Sequence, residues 1–251
     1  MRKNRLIVIL LALELLLAAG CGGSKSGSAP TAAPTAEPTA EPTAEPTAEP
    51  TEEPTAEPTA EPADDVNAKL LGHWEGQTYV NEFLGMSCSL PADWTYLSDS
   101  ELAEMSGITA ELIKNEDISE AVASAIEEGK VIYAMFASSA TGLQNFNLGF
   151  EKLNAAQALV LTEEGYLHVA EPQLKTALES MGITDCATEL VTVTLGGREV
   201  PALRITGQYN GVQIYELTVA CKQESYIACF SFTSFGEDIS EDLVQMWAPL
   251  A

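Results

Sequence analysis

Hydrophobic and polar positions change their rhythm twice along this chain, and each regime predicts a different kind of segment. Residues 6–20 are apolar with little interruption behind Arg2, Lys3 and Arg5. Residues 22–65 have no apolar period; a proline stands at every fourth position from Pro30 to Pro62, with Thr-Ala-Glu in most of the gaps. From Val66 to Ala251 apolar residues return at spacings near 2 and 3.6. That predicts one globular unit of 186 residues, long enough to bury a sizeable core.

Strand signals are clearest in the last third. Glu189 to Leu195 and Arg198 to Thr206 flank Gly196-Gly197, and Tyr209 and Val212 flank Asn210-Gly211. Both dipeptides accept the positive φ of a tight hairpin turn, so with Tyr226 to Ser234 they predict a four-stranded antiparallel meander. A turn at Gln223-Glu224 would set Cys221 against Tyr226 and Cys229 against Thr218, with the two sulfurs on opposite faces. Leu203 and Ile205 occupy one face, and Tyr215, Leu217 and Val219 the other. A sheet apolar on both sides requires cover on both. Val131 to Ala137 is apolar throughout, as in a buried central strand, and Phe146, Leu148 and Phe150 alternate with Asn147 and Gly149 in another.

Helical spacing supplies that cover. Ile118, Ala121, Val122, Ala125 and Ile126 form a stripe behind an Asp117/Glu120 capping box, with Gly129 as the stop. The same Glu-Asp-Ile-Ser-Glu run recurs at 237–241, ahead of Leu243, Val244 and Trp247. Both acidic knots are helix starts, where carboxylates meet exposed amides and the positive end of the helix dipole, and neither predicts a metal site. Ser98 with Glu101 begins a short helix that ends before Gly107. A longer one covers Glu163 to Met181, with Leu167, Leu174, Leu178 and Met181 on one side and a kink or break expected at Pro172. The fold class is therefore α+β, an antiparallel sheet covered by helices on both faces.

Charge narrows the partners. Residues 66–251 hold 26 Asp and Glu against 8 Lys and Arg, which disfavours nucleic acid and direct adhesion to an anionic membrane. In the repeat, eight glutamates between Glu37 and Glu61 repel one another while proline excludes helix, predicting an extended tether. At about 3.1 Å per residue its reach is at most roughly 130 Å. The repeat is alternatively a ligand for a proline-reading partner, or its threonines are glycosylated.

The basic start, apolar stretch and small residues before Cys21 predict a secretory leader over residues 1–20, too short to span a bilayer. Its end, Leu17-Ala18-Ala19-Gly20-Cys21, resembles the lipobox of bacterial lipoproteins, though Ala18 stands where Leu is commoner and Glu14 interrupts the apolar stretch. The resemblance implies diacylglycerol on the Cys21 thiol and cleavage before it. Residues 21–65 are then a lipidated cysteine and tether, and the domain sits on the extracytoplasmic face of the membrane. The alternative is an ordinary leader cut after Ala18 or Gly20, with Cys21 a free thiol. Further along, Tyr79 to Met86, Leu90-Pro91-Ala92-Asp93-Trp94 and the helix at Ser98 resemble the opening of PsbP-like domains and of gut-bacterial surface lipoproteins. That resemblance implies an α/β/α sandwich and roles in binding or assembly, with no shared catalytic set.

Candidate chemistry is sparse. Cys88, Cys186, Cys221 and Cys229 allow two bridges outside the cytoplasm, but a domain of this size folds without them, and buried small apolar cysteines are preferred. His73 and His168, the chain's two histidines, have no ligand at metal spacing and are expected at the surface or at caps. A nucleophile elbow, P-loop, dinucleotide fingerprint and EF-hand loop are missing, so no catalytic, cofactor-binding or metal residue is predicted. Trp74, Trp94 and Trp247 are expected in cores and corners, with a carbohydrate-stacking groove as the alternative. The expected function is a non-enzymatic binding or accessory module, held to the membrane by lipid on Cys21 and engaging a cell-surface protein or small solute. The alternatives are a paired-carboxylate hydrolase of the cell envelope and a structural spacer. Cys21→Ala should move the protein from the membrane fraction to the soluble one, measured by detergent-phase partitioning; persistent partitioning would refute the anchor.

Overall fold

The computed structural model describes residues 69–108 and 118–250. Cys21, the leader, the repeat and the Asp117 cap lie outside them. The longest strands come from the last third of the chain: β7 (Thr184–Leu195), β8 (Arg198–Tyr209), β9 (Val212–Gln223) and β10 (Tyr226–Phe235) form the expected meander. Gly196 and Gly197 have φ of 55° and 79°, and Asn210 and Gly211 51° and 79°, the paired positive values of a type I′ turn. The last hairpin corrects the expected register. Gln223 pairs with Tyr226, which shifts the register by two and moves the turn one residue on to Glu224-Ser225, with Glu224 at φ 53°. Cys221 therefore opposes Ala228, and Cys229 opposes Ala220. Parity is unchanged, so the two sulfurs still point into separate clusters, and all four described cysteines are free.

β4 (Thr95–Tyr96), β5 (Ile132–Ser138) and β6 (Gln144–Lys152) complete a seven-stranded sheet in the order β4-β5-β6-β10-β9-β8-β7. The all-apolar run is β5, which is buried but lies one place from the edge, not at the centre. Its outer side is closed by β4 and by α1 (Asp99–Met105), just beyond which Ser106 Oγ accepts from the Tyr133 amide at 2.9 Å. The predicted capping box starts α1: Glu101 Oε2 accepts from the Ser98 amide at 2.9 Å.

After β6 the chain crosses one face through α3 (Ala155–Val160) and α4 (Glu163–Ser180) to the far edge at β7. Tyr166, Leu167, Ala170, Leu174 and Leu178 of α4 bury against Leu203, Ile205, Ile214 and Ala220. Pro172 removes one helical donor, yet α4 continues for all 18 residues because apolar packing on both sides of the proline holds it to the sheet. Glu163 fixes its first turn, accepting from the Lys222 amide at 2.9 Å and pairing with Arg198 at 3.2 Å.

The opposite face has the expected helices, α2 (Ile118–Glu127) and α5 (Ser240–Val244), and in addition a small sheet not anticipated from the pattern. That sheet has the order β1 (His73–Glu75), β2 (Thr78–Asn81), β3 (Met86–Ser89), β11 (Trp247–Pro249). Gly129 at φ 75° ends α2, with the Lys130 amide returning to the Ala125 carbonyl at 3.0 Å. Trp247 is not on the last helical stripe; it pairs with Cys88 in β11, which turns its ring into the core. There it meets Phe230 edge-on at 4.9 Å, while Trp94 meets Phe146 at 5.3 Å. Nothing lies within 4 Å of where a Cβ would sit on Gly211, so Gly211→Val should cost only backbone strain, about 1–2 kcal/mol. Urea denaturation measures this, and an unchanged midpoint would contradict the turn's role.

Candidate functional site

The face crossed by α4 is not uniformly apolar. Along β9 the inward residues are Ile214, Glu216, Thr218 and Ala220; along β10 they are Cys229, Ser231 and Thr233; along β6 they are Asn145, Asn147 and Gly149. Register aligns the polar ones into a block three strands wide. Thr218 opposes Ser231, which opposes Asn147; Glu216 opposes Thr233, which opposes Asn145. Tyr133 and Phe136 bound it on β5, and Leu203 and Ile205 on β8. All six polar side chains are buried.

Burial without full pairing is the notable property of this block. Asn147 Oδ1 and Ser231 Oγ, on directly opposed residues, have no hydrogen-bond partner among the described residues. Leaving such a group unpaired costs on the order of 1–3 kcal/mol, so two together in the middle of a sheet mark this block as the candidate site. Glu216 accepts from Thr218 Oγ1 at 3.2 Å and makes no ion pair with a described residue. Burial pushes its carboxyl up to about 7, against the smaller opposing pull of Thr218. Near neutrality the block therefore offers a carboxyl that both donates and accepts, with amides and hydroxyls beside it.

A second acid on this face stands apart. Glu151 accepts from Tyr166 Oη at 3.1 Å, and burial raises its pKa. Through Ile227 it aligns with Lys222, six residues along β9 from Glu216. At 3.3 Å per residue that is about 20 Å, whereas hydrolytic carboxylate pairs stand about 5–10 Å apart. Glu151 and Glu216 do not make that pair. The buried thiols of Cys88, Cys221 and Cys229 are pushed up to about 12 by desolvation, which keeps them protonated.

The residues singled out from sequence are dispersed. His73 lies 3.3 Å from Glu75 and His168 3.7 Å from Glu164, both exposed. Trp94 and Trp247 are core residues, and Trp74 stacks on Tyr96 with ring centroids 3.8 Å apart, so the three line no common groove. Of the acidic knots, the described one lies at the start of α5 without a side-chain cap: Asp238 Oδ1 accepts from the Ser240 amide at 3.2 Å and from Ser240 Oγ at 2.6 Å, and Glu241 pairs with Arg204. A cavity of about 190 Å³ lies between α1, β5 and Leu71, below the roughly 300–1,000 Å³ of typical ligand sites. Among the described residues no group of His, Cys, Asp and Glu is arranged to hold a metal, and no helix is long and apolar enough to cross a membrane.

Comparison with known proteins adds the following. The PT disordered repeat family matches residues 29–64. No curated protein sequence matches the chain. Among solved structures it is similar to a protein of Bacteroides thetaiotaomicron VPI-5482 at 13% identity and a TM-score of 0.38, covering 70% of this chain and 49% of that one. The chain thus spans about half the length of that protein. It is also similar to LpqN, involved in cell envelope biogenesis of Mycobacterium tuberculosis, at 10% identity and a TM-score of 0.37, covering 65% of this chain and 82% of LpqN.

The raised Glu216 pKa has a consequence with a definite sign. Between the ordinary value of 4.5 and about 7 the folded state keeps a proton that the unfolded state has lost, so stability falls as pH rises through that window. The contribution is about 3 kcal/mol at most. Glu216→Gln should flatten the fall, and melting temperatures of both proteins from pH 4 to pH 8 measure it; parallel curves would show that Glu216 is not buried as described.

Proposed function

We propose that this chain is a lipid-anchored lipoprotein of the extracytoplasmic membrane face, whose domain at residues 66–251 is a non-enzymatic binding module for a small polar solute. The anchor is Cys21 at the end of the leader, and residues 22–65 are the spacer that carries the domain away from the bilayer. Two or more acyl chains hold such a protein firmly, at about 0.8 kcal/mol per buried methylene. The PsbP-like reading of the Leu90-Pro91 corner and Trp94 belongs with this role, since binding is what that resemblance implies. In support of the corner, the Trp94 amide donates to the Pro91 carbonyl at 3.0 Å.

The observation that carries the binding role is the polar block of Glu216, Thr218, Ser231, Thr233, Asn145 and Asn147, with two opposed polar atoms unpaired among the described residues. Its chemistry selects the solute. No cation belongs to the block, so an anion is disfavoured, and hydroxyls, amides and a carboxyl that is protonated below about 7 match a neutral molecule rich in hydroxyl or amide groups. A polar site walled by Phe136, Leu203 and Ile205 is the usual composition of a small-molecule pocket, apolar sides with a few placed polar groups.

The test is a thermal-shift screen of neutral polyols, sugars and amides with the full chain. At least one is expected to raise the melting temperature and to give a saturable calorimetric titration. Asn147→Leu and Ser231→Ala should each weaken that binding about tenfold or more, through the loss of one or two buried hydrogen bonds. Stabilised variants combined with no response across the screen would show instead that the block is only a cost to folding.

A further inference from the structure

The outer edge of β7 is the one long strand edge that the described fold leaves open. Among the outermost strands β4 has two residues and β1 and β11 three each, whereas β7 has 12. Its pairing with β8 is irregular only between Thr184 and Ala187, where Asp185 has φ 54°, and is unbroken from Ala187 to Leu195. Proteins blunt such edges with short strands, lysine, proline or bulges, and the stretch from Thr188 to Leu195 has none of these. It is open to solvent: Leu190 is 37% exposed, and Thr192 and Thr194 are exposed, while Val193 and Leu195 face the core. Leu190 to Leu195 is a six-residue run without a charge, threonines on the α4 face alternating with valines on the other.

We propose that this edge is a self-association surface, on which β7 of a second copy adds antiparallel about a two-fold axis to join two seven-stranded sheets into one. The axis stands perpendicular to the sheet, so opposed residues lie on the same face and differ by an even number. With Thr192 opposite its own copy, Val191 meets Val193, Leu190 meets Thr194, and Glu189 meets Leu195. The strand complements itself in this register. Val191 meets Val193 on the inner face and threonine meets threonine at the axis, while at each end of the pairing a Glu189 stands beside Leu195 of the other copy, the two carboxylates about 20 Å apart along the strands.

Charge and chain composition select this occupant. The run from Leu190 to Leu195 carries no charge and gives a basic or acidic segment nothing to read, and the chain's own repeat cannot add here because a proline at every fourth position withholds donors from the ladder. The acidity of the two domains opposes approach only weakly at physiological salt, where charges are screened beyond about 8 Å. The inference stands independently of the solute site, which lies on other strands.

Sedimentation equilibrium of the full chain in detergent, across a dilution series, is the test. The wild type is expected to reach a dimer. Thr192→Lys with Thr194→Lys should weaken association about tenfold or more by setting like charges across the axis, and Thr192→Glu with Thr194→Glu should do the same. Both pairs change exposed side chains, and an unchanged melting temperature checks that each monomer still folds. A wild type that stays monomeric at every concentration, or a dimer that survives both pairs, overturns the proposal. So does association that appears only when another protein's strand is supplied.

Discussion

A sheet that is apolar on both faces has to be covered on both faces in water, and the rest of this protein is arranged by that requirement. Four hairpin-linked strands create the demand, since their turns at Gly196-Gly197 and Asn210-Gly211 fix a register that turns Leu203 and Ile205 one way and Leu217 and Val219 the other. One face is covered by α4, which is also the crossover that takes the chain from β6 to the far edge. The other is covered by α2, α5 and the small sheet, whose Tyr79, Met86, Cys88 and Trp247 enter the same core as Phe146, Phe230 and Phe232. The last residues of the described chain and the first ones are joined there, because β11 pairs with β3.

Against that background the polar block is a local exception to a rule that the rest of the domain obeys. Sequences specify folds by agreement among pattern, packing and polar satisfaction, and natural departures concentrate where function is placed. Glu216 and Thr218 interrupt an otherwise apolar row between Ile214 and Ala220, and Ser231 and Asn147 continue the interruption across two more strands. Contact with solvent is excluded as the explanation because these side chains are buried. Structural hydrogen bonding is incomplete as one, because two of the atoms lack partners among the described residues. The edge of β7 departs from a different rule, that of blunting long edges, and it does so with an uncharged run from Leu190 to Leu195 on an acid-rich domain.

Much of the fold was legible in local sequence because its signals act over a few residues. Gly-Gly and Asn-Gly turns, the Ser98/Glu101 capping box and the Gly129 stop each depend on the backbone conformation or hydrogen bonds of neighbours, so reading them required no tertiary knowledge. The failures were non-local. Of the kink or break that Pro172 signalled, packing on the sheet overrode the break, and Trp247 matched a helical stripe but was drawn into a strand by Cys88, far away in sequence. The resemblance of the opening at Tyr79 to Leu90 implied a short strand pair, which is β2 with β3, but that β1 and β11 complete a four-stranded sheet escaped notice because these strands are three residues long and come from both ends of the domain.

The candidate site shows the same division. Alternation along β6 already set Asn147 and Gly149 against Phe146, Leu148 and Phe150, so that Asn147 faced away from the aromatic core was fixed locally. Its alignment with Ser231 and Thr218 depends on which strands are neighbours and in what register, and a single residue of slip would have dispersed the block. By itself the sequence determined the hairpins, the helix ends, the two-faced sheet and the acidic charge, all of which follow from spacing and residue type. Only the tertiary structure decided that six polar residues from three strands share one buried patch and that β7 is left at the edge, because strand order joins residues whose separation along the chain carries no information about their contact.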